Sequence, residues 1–324
     1  MTDRRSDAPP AVHRIEFDVD WPPGHVASYL VDCDEPTLID AGMPGPDAER
    51  VLRERLADCG RDLADVEHLV LTHPHVDHVG QVGAVVEAAD PTVYAPAGIR
   101  ERFDRDPDDL AAAVRANAVG AGLTDDALST AVSMAVDSLE RNRELLPPGD
   151  VDAWVVDGER VEVGGTPVEV IHTPGHQADH CCFRVELGEP TLVSGDAAIE
   201  PFRPVAIHVG LDRGVEDAIA AFYGALDRLA AVDVARVYPA HGPVHDDLAG
   251  AVARDRASLD RTLDRTRERV EAGAETAAEI ARERAGDRDI AYIIAEVVGA
   301  LRHLEAAGRI AATVEDGVRR YRPR

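Results

Sequence analysis

An α/β fold, built of layered sheets with one working rim, is predicted by three features of the 324-residue sequence. Short apolar runs that read as strands are interspersed with stretches of helical periodicity. Several of these runs end in a His or Asp close to a Gly, which lets the backbone turn sharply at the donor. One such end, Leu71-Thr72-His73-Pro74-His75-Val76-Asp77-His78-Val79-Gly80, packs three histidines and one aspartate into six consecutive positions. That density of nitrogen and carboxylate donors is a metal-site signature.

Residues 1–11 are polar and proline-ended and are expected to form a short disordered tail; Arg4-Arg5 precedes no apolar stretch of the kind an export signal needs. Leu38-Ile39-Asp40-Ala41-Gly42 closes an early strand with an aspartate, either a support for a metal ligand or a turn cap. Residues 66–71 form an apolar strand without Gly or Pro. Alternation beyond it sends His73 and His75 to one side, and a tight turn through Val76 brings Asp77 and His78 beside them. Two donor pairs then face two adjacent ions. The spacing of Val82, Val85 and Val86 predicts a helix over 80–89.

A strand at Thr92-Val93-Tyr94 and another near 152–156 bracket a helical insertion at about 97–150, marked by Leu110, Val114, Ala118 and then Leu128, Ala131, Met134, Ala135 and Leu139. Lying between metal motifs, it is expected to act as a lid, as one wall of the substrate pocket, or as a packing hairpin. A strand over 168–171 leads to Thr173-Pro174-Gly175-His176; His180, four positions on, is either a support for a neighbouring ligand or simply solvated, and His172 faces the other way and reads as structural. Thr191-Leu192-Val193 leads to Ser194-Gly195-Asp196, and a strand over 234–237 to Tyr238-Pro239-Ala240-His241-Gly242-Pro243. The proline-punctuated loop 200–210 is expected to cross the site mouth, with Arg203 and His208 as candidates to bind or protonate a substrate group.

Beyond Leu248 the pattern predicts a long charged helix over 251–270 and a shorter one from Thr276 with Glu279 as its capping-box partner. An amphipathic helix carrying Ile290, Ile293, Ile294, Val297, Val298, Leu301 and Leu304 follows, and a hairpin about Gly317 ends the chain. This order is winged-helix-like, so residues 249–324 are expected to form a C-terminal domain after a catalytic domain at 12–248. Arg302, Arg309, Arg319, Arg320, Arg322 and Arg324 make its end locally basic.

The five donor segments, in this order, resemble the metallo-β-lactamase fold superfamily of metallohydrolases, over roughly residues 12–248. The resemblance implies a four-layer αββα sandwich holding two divalent ions. Position by position, His73, His75 and His176 would hold the first ion, Asp77, His78 and His241 the second, and Asp196 would bridge them. Asp77 and Asp196 are then the candidate catalytic carboxylates. Zinc is the default metal, and iron or manganese suit the same donors. A water between two such cations loses a proton near neutral pH and can attack a polarised carbonyl or phosphoryl group. The resemblance extends to hydroxyacylglutathione hydrolase, which favours a small ester or acyl thioester as substrate, and to the lactamase-like endoribonuclease subgroup, which implies RNA as the alternative. Asp196 stands where class-typical β-lactamases carry a cysteine, which counts against antibiotic hydrolysis.

The formal net charge is -27, and all 34 basic residues are Arg. An acidic, lysine-free surface stays hydrated in salt and points to a high-salt cytoplasm or a very GC-rich genome. It argues against general binding to nucleic acid or anionic membranes, and no apolar run is long enough to cross a bilayer. Cys33, Cys59, Cys181 and Cys182 show no CxxC spacing; adjacent Cys181 and Cys182 face opposite sides of a strand, as expected of small buried hydrophobes in a reducing compartment. The apolar face of the last helix could serve a homodimer or a domain contact.

Overall fold

The computed structural model describes residues 9–286 and 290–324. The expected tail falls mostly outside them, and Ala11 already opens the first strand. One sheet takes its strands in chain order: β1 (Ala11–Asp18), β2 (His25–Asp32), β3 (Thr37–Ile39), β4 (His68–Val70), β5 (Thr92–Pro96) and β6 (Ala153–Val155). β1 to β3 are antiparallel and β3 to β6 parallel. Parallel neighbours require crossovers. These are α1 (Pro46–Asp58), then α2 (Val76–Val79) with α3 (Val82–Ala89), then the insertion α4 (Ala97–Phe103), α5 (Pro107–Gly120) and α6 (Asp125–Leu145).

The second sheet is an antiparallel meander of β7 (Arg160–Val163), β8 (Thr166–His172), β9 (Cys181–Glu186) and β10 (Pro190–Gly195). It is completed by β11 (Arg236–Pro239), parallel to β10 after a crossover through α7 (Ala218–Leu229). Strand alternation divides the apolar residues between two cores. Ala27, Tyr29, Ile39 and Val70 of the first sheet meet Val168, Val170, Cys181, Phe183 and Val193 of the second. Their neighbours Leu30, Leu38, Leu69, Cys182 and Leu192 point outward under the helices. The result is the expected αββα sandwich, with Cys181 and Cys182 on opposite faces; Cys33 and Cys59 are only half-buried.

The chain continues through α8 (Leu248–Glu271), α9 (Ala277–Ala285), α10 (Ile294–Ala306) and the hairpin β12 (Ile310–Glu315) and β13 (Val318–Pro323). The capping box of Thr276 and Glu279 is present. Leu259, Leu263, Val297, Leu301, Leu304 and Tyr321 belong to the same buried cluster as the outer faces of the sheets, so this region shares its core with the sandwich. Four of the six arginines singled out at its end have acidic neighbours: Arg302 and Arg319 reach Glu305, Arg309 reaches Asp264, and Arg320 reaches Glu275 and Glu315, while Arg324 meets the Gly308 carbonyl. Among the described residues no helix is long and apolar enough to cross a membrane.

Candidate metal centre

The donor segments all leave the strands at one edge of the sandwich. Asp40 follows β3, His73 to His78 follow β4 and enter α2, His176 follows β8, Asp196 follows β10 and His241 follows β11. Backbone bonds lock the segments together: Ala27 N donates to Ala240 O at 2.7 Å, Cys181 N to Thr72 O at 3.0 Å and Ala240 N to Gly195 O at 2.9 Å. Gly195 has φ +49°, and a Cβ there would lie 2.7 Å from His180 Nε2, so the turn presenting Asp196 admits only glycine.

The donor atoms fall into two groups, His73, His75, His176 and Asp196 in one and Asp77, His78 and His241 in the other, each group lying within 4.8 Å of itself. Hydrogen bonds on the far side of the rings fix which nitrogen carries the proton. His176 Nδ1 donates to Val205 O at 2.9 Å and His241 Nδ1 to His25 O at 2.7 Å. Thr72 Oγ1 gives its proton to Asp40 Oδ2 at 2.8 Å and therefore accepts from His73 Nδ1 at 3.0 Å. His78 Nδ1 donates to Asp40 Oδ2 at 2.8 Å. The Nε2 atoms of all four rings therefore point inward.

This convergence is the test of fit for a metal. His73 Nε2 and His176 Nε2 each lie 3.0 Å from His75 Nδ1, and His176 Nε2 lies 3.1 Å from Asp196 Oδ2. A proton on His75 Nδ1 satisfies only one of the two facing lone pairs; a cation satisfies every donor. In the other group, buried His78 Nε2 and Asp196 Oδ1 have no hydrogen-bond partner. They face each other at 3.4 Å, with His241 Nε2 at 3.4 Å from Asp77 Oδ2 and 3.5 Å from Asp196 Oδ1. Orphaned polar atoms are costly in an interior unless an ion meets them. The residues fit two divalent cations, with Asp196 offering one oxygen to each group.

Against the effect of burial, Asp40, Asp77 and Asp196 raise His78, and Asp196 and Asp77 raise His241, above the usual histidine range, so without an ion protons take the positive place that a cation would fill in the group of Asp77, His78 and His241. Burial holds the rings of His73 and His75 neutral, well below the usual histidine range. Burial alone would raise Asp77, yet His78 and His241 bring it down to about 2. Asp196 is likewise held low by His241, His78 and His176 against the effect of burial. Burial lowers His180 to about 3, so this ring stays neutral, accepting from Asp196 N at 3.0 Å while its Nδ1 meets Thr173 Oγ1 at 2.7 Å. The supporting place expected of His180 is thus at the backbone of Asp196. Asp40 accepts from Thr72 N at 2.8 Å and from His78 Nδ1 at 2.8 Å, so its carboxylate joins the segment after β4 to a candidate ligand rather than capping its own turn.

Arg203 differs from expectation. Its side chain is only 4% exposed, and its guanidinium pairs with Glu296 of α10 at 2.8 Å instead of facing a substrate. A loop position does not reveal the direction of a side chain, and the deep carboxylate of Glu296 draws this one inward. His208 is also buried; its backbone N donates to His176 O at 2.8 Å, which ties the loop to a candidate ligand. His172 caps the turn through Ala178 O at 2.7 Å. Sequence reasoning missed Thr72, Gln177 and Arg102. Gln177 touches the outer nitrogen of His75, and Arg102 of the insertion holds the Gln177 amide oxygen. Adjacency to His73 and His176 was the available signal for Thr72 and Gln177; Arg102 had none.

The model of the metallo-beta-lactamase superfamily matches residues 21–241. A metallo-beta-lactamase family protein of Thermus thermophilus superposes with a TM-score of 0.80 at 26% identity, covering 97% of this chain and 98% of that one. The lactamase-like protein aptB of Emericella nidulans is 27% identical over 215 residues, which are 65% of this chain and 48% of that protein. An atrochrysone carboxyl ACP thioesterase of Aspergillus fumigatus is 26% identical over 211 residues, 65% of this chain and 36% of the relative. The chain thus spans about half or less of the length of these curated relatives.

Proposed function

Because the chain belongs to the metallo-beta-lactamase superfamily, we propose that it is a binuclear metal-dependent hydrolase acting on a small ester or acyl thioester. The observation that carries this reading is Asp196, whose two oxygens each face a separate group of converging histidine nitrogens. His73, His75 and His176 with Asp196 would hold one ion, and Asp77, His78 and His241 with Asp196 the other. Two such ions, when bound, acidify water to near neutral pH and polarise a carbonyl oxygen. Zinc suits the reading, since hydrolysis asks for no redox change and imidazole with carboxylate suits it.

The protein's own contribution is positional. Asp196 fixes the spacing of the two pockets, and Thr72, Asp40 and the carbonyls of Val205 and His25 fix the ring tautomers. Asp77, ionised at neutral pH, keeps a carboxylate oxygen beside His241 that can accept a hydrogen bond from a water and orient it. The name of the Aspergillus relative supports a thioester as the bond cleaved. The ion pairs that occupy Arg302, Arg309, Arg319 and Arg320 work against the RNA alternative, because phosphate binding needs free cations. We place the enzyme in a reducing, salt-rich cytoplasm on the strength of its free cysteines and its acidity.

Steady-state hydrolysis of an acyl-thioester panel by zinc-loaded protein in molar KCl tests the proposal, with Asp196→Asn as control. The expected result is kcat/KM above roughly 10⁴ M⁻¹s⁻¹, lost in the variant. Inert thioesters together with active phosphodiesters would overturn the substrate class.

A further inference from the structure

We propose that Glu296, in the C-terminal helix α10, is a positioning residue for the three-histidine pocket: through a single peptide unit it orients His176 and strengthens that pocket's hold on a divalent ion. The inference rests on the metal reading above and gives the C-terminal region a part in it.

The peptide linking Val205 to Ala206 is the connecting piece. It is trans, so its N–H and C=O point in opposite directions. Its N–H donates to Glu296 Oε2 at 2.8 Å, and its C=O accepts from His176 Nδ1 at 2.9 Å. A carboxylate and an imidazole therefore grip the two ends of one rigid plane. The bond to the carboxylate is charge-assisted, and hydrogen bonds in series polarise one another where the dielectric is low. A carbonyl polarised in this way is a better acceptor for Nδ1–H. The ring is held in the tautomer that leaves Nε2 free, and Nε2 becomes a stronger ligand.

Glu296 is itself immobilised. It has no exposed surface, and Arg203 at 2.8 Å and Arg284 both pair with it. The helix that carries it is seated closely: a Cβ at Gly299 would stand 3.1 Å from Ala218 Cβ of the segment opening α7. From α7, the ring of Phe222 presses on Gly175, where a Cβ would be 2.5 Å away, and the Arg203 guanidinium stacks over that ring at 5.3 Å. Two contacts from one side of the molecule, the Val205 carbonyl and the Phe222 ring, thus converge on the residue pair Gly175-His176. His73, His78 and His241 have anchors elsewhere, Thr72 for His73, Asp40 for His78 and the His25 carbonyl for His241, while His75 of the same pocket meets Gln177. The effect of Glu296 should therefore be confined to one pocket.

The test is titration of the 324-residue chain with chelator-buffered Zn(II), followed through the ring nitrogen resonances of His176 and His241, which report the two pockets separately. For Glu296→Gln the expected result is a loss of roughly 10- to 100-fold in affinity at His176, with the affinity at His241 unchanged. A lowered melting temperature with both affinities intact would show a merely structural role and overturn the inference, as would an equal loss at both pockets. If the variant fails to fold, the wild type decides. The Ala206 amide proton should shift when the His176 pocket fills, and an unmoved resonance overturns the inference. A wild-type protein that takes up no Zn(II) refutes the metal reading itself, an outcome distinct from the others.

Discussion

Asp40 sits at φ 56°, a backbone conformation unfavourable for an L-residue, with its carboxylate shared between Thr72 and His78. An amide cannot accept all of these bonds, because one of its two ends must donate. Asp40→Asn should lower zinc affinity of the His78 pocket by about 10- to 100-fold while the chain stays folded, measured by chelator competition. Gly80 makes a different demand: a Cβ there would lie 2.2 Å from Met43 C and Pro44 N, both backbone atoms. Gly80→Ala should cost roughly 1–3 kcal/mol, read as a lower urea midpoint. At this scale the donors were legible because histidines and aspartates crowd one short run and recur at strand ends. Arg203 and Glu296 were not, since a pairing across more than ninety positions leaves no local mark.

Among the elements, the insertion is bolted down rather than loosely hinged. Arg105 makes two bonds to Asp212, at 2.9 and 2.7 Å, and Asn117 Nδ2 donates to the carbonyls of Leu211 and Asp212 at 2.8 and 3.1 Å. Bidentate charged pairs of this kind, only partly exposed, are worth more than surface ion pairs. Arg105→Ala should therefore destabilise the fold by about 1–3 kcal/mol and leave zinc stoichiometry unchanged, as thermal melts and metal analysis will show. Periodicity located α5 and α6 because their apolar positions repeat cleanly, whereas α8 was legible from its run of charged residues and α9 from its capping box. The sequence pattern placed α3 over 80–89 and a tight turn through Val76 where α2 forms; Gly80 N and Gln81 N bond Gly42 O at 2.8 Å and Ala41 O at 3.0 Å, so α3 begins only at Val82. Similarly, the pattern from Ile290 to Leu304 hides a break, with a 3-10 turn at Ile290–Tyr292 before α10 starts at Ile294.

For the whole molecule, charge is the dominant condition. A net charge of -27 repels itself at low ionic strength, so the melting temperature should climb between 0.05 and 2 M KCl by roughly ten degrees or more. A flat curve would leave codon bias as the reason for the composition. One buried acid adds a pH dependence. Burial raises Asp255 to about 7; its carboxylate oxygens lack hydrogen-bond partners, Arg254 Nη2 stands 3.5 Å away, and Arg203 and Glu200 are the other charges bearing on it. A folded-state pKa above the unfolded one means this group's stabilisation is complete below about pH 4 and is lost as pH rises through 7. Asp255→Asn should thus stabilise at pH 8, by on the order of 1–3 kcal/mol, and change little at pH 4. Both sheets deliver their donors to one rim, and zinc stoichiometry by equilibrium dialysis tests most directly whether that rim holds two ions. Two ions per wild-type chain and at most one in Asp196→Asn are predicted; no bound zinc in the wild type, or two ions retained in the variant, would contradict it.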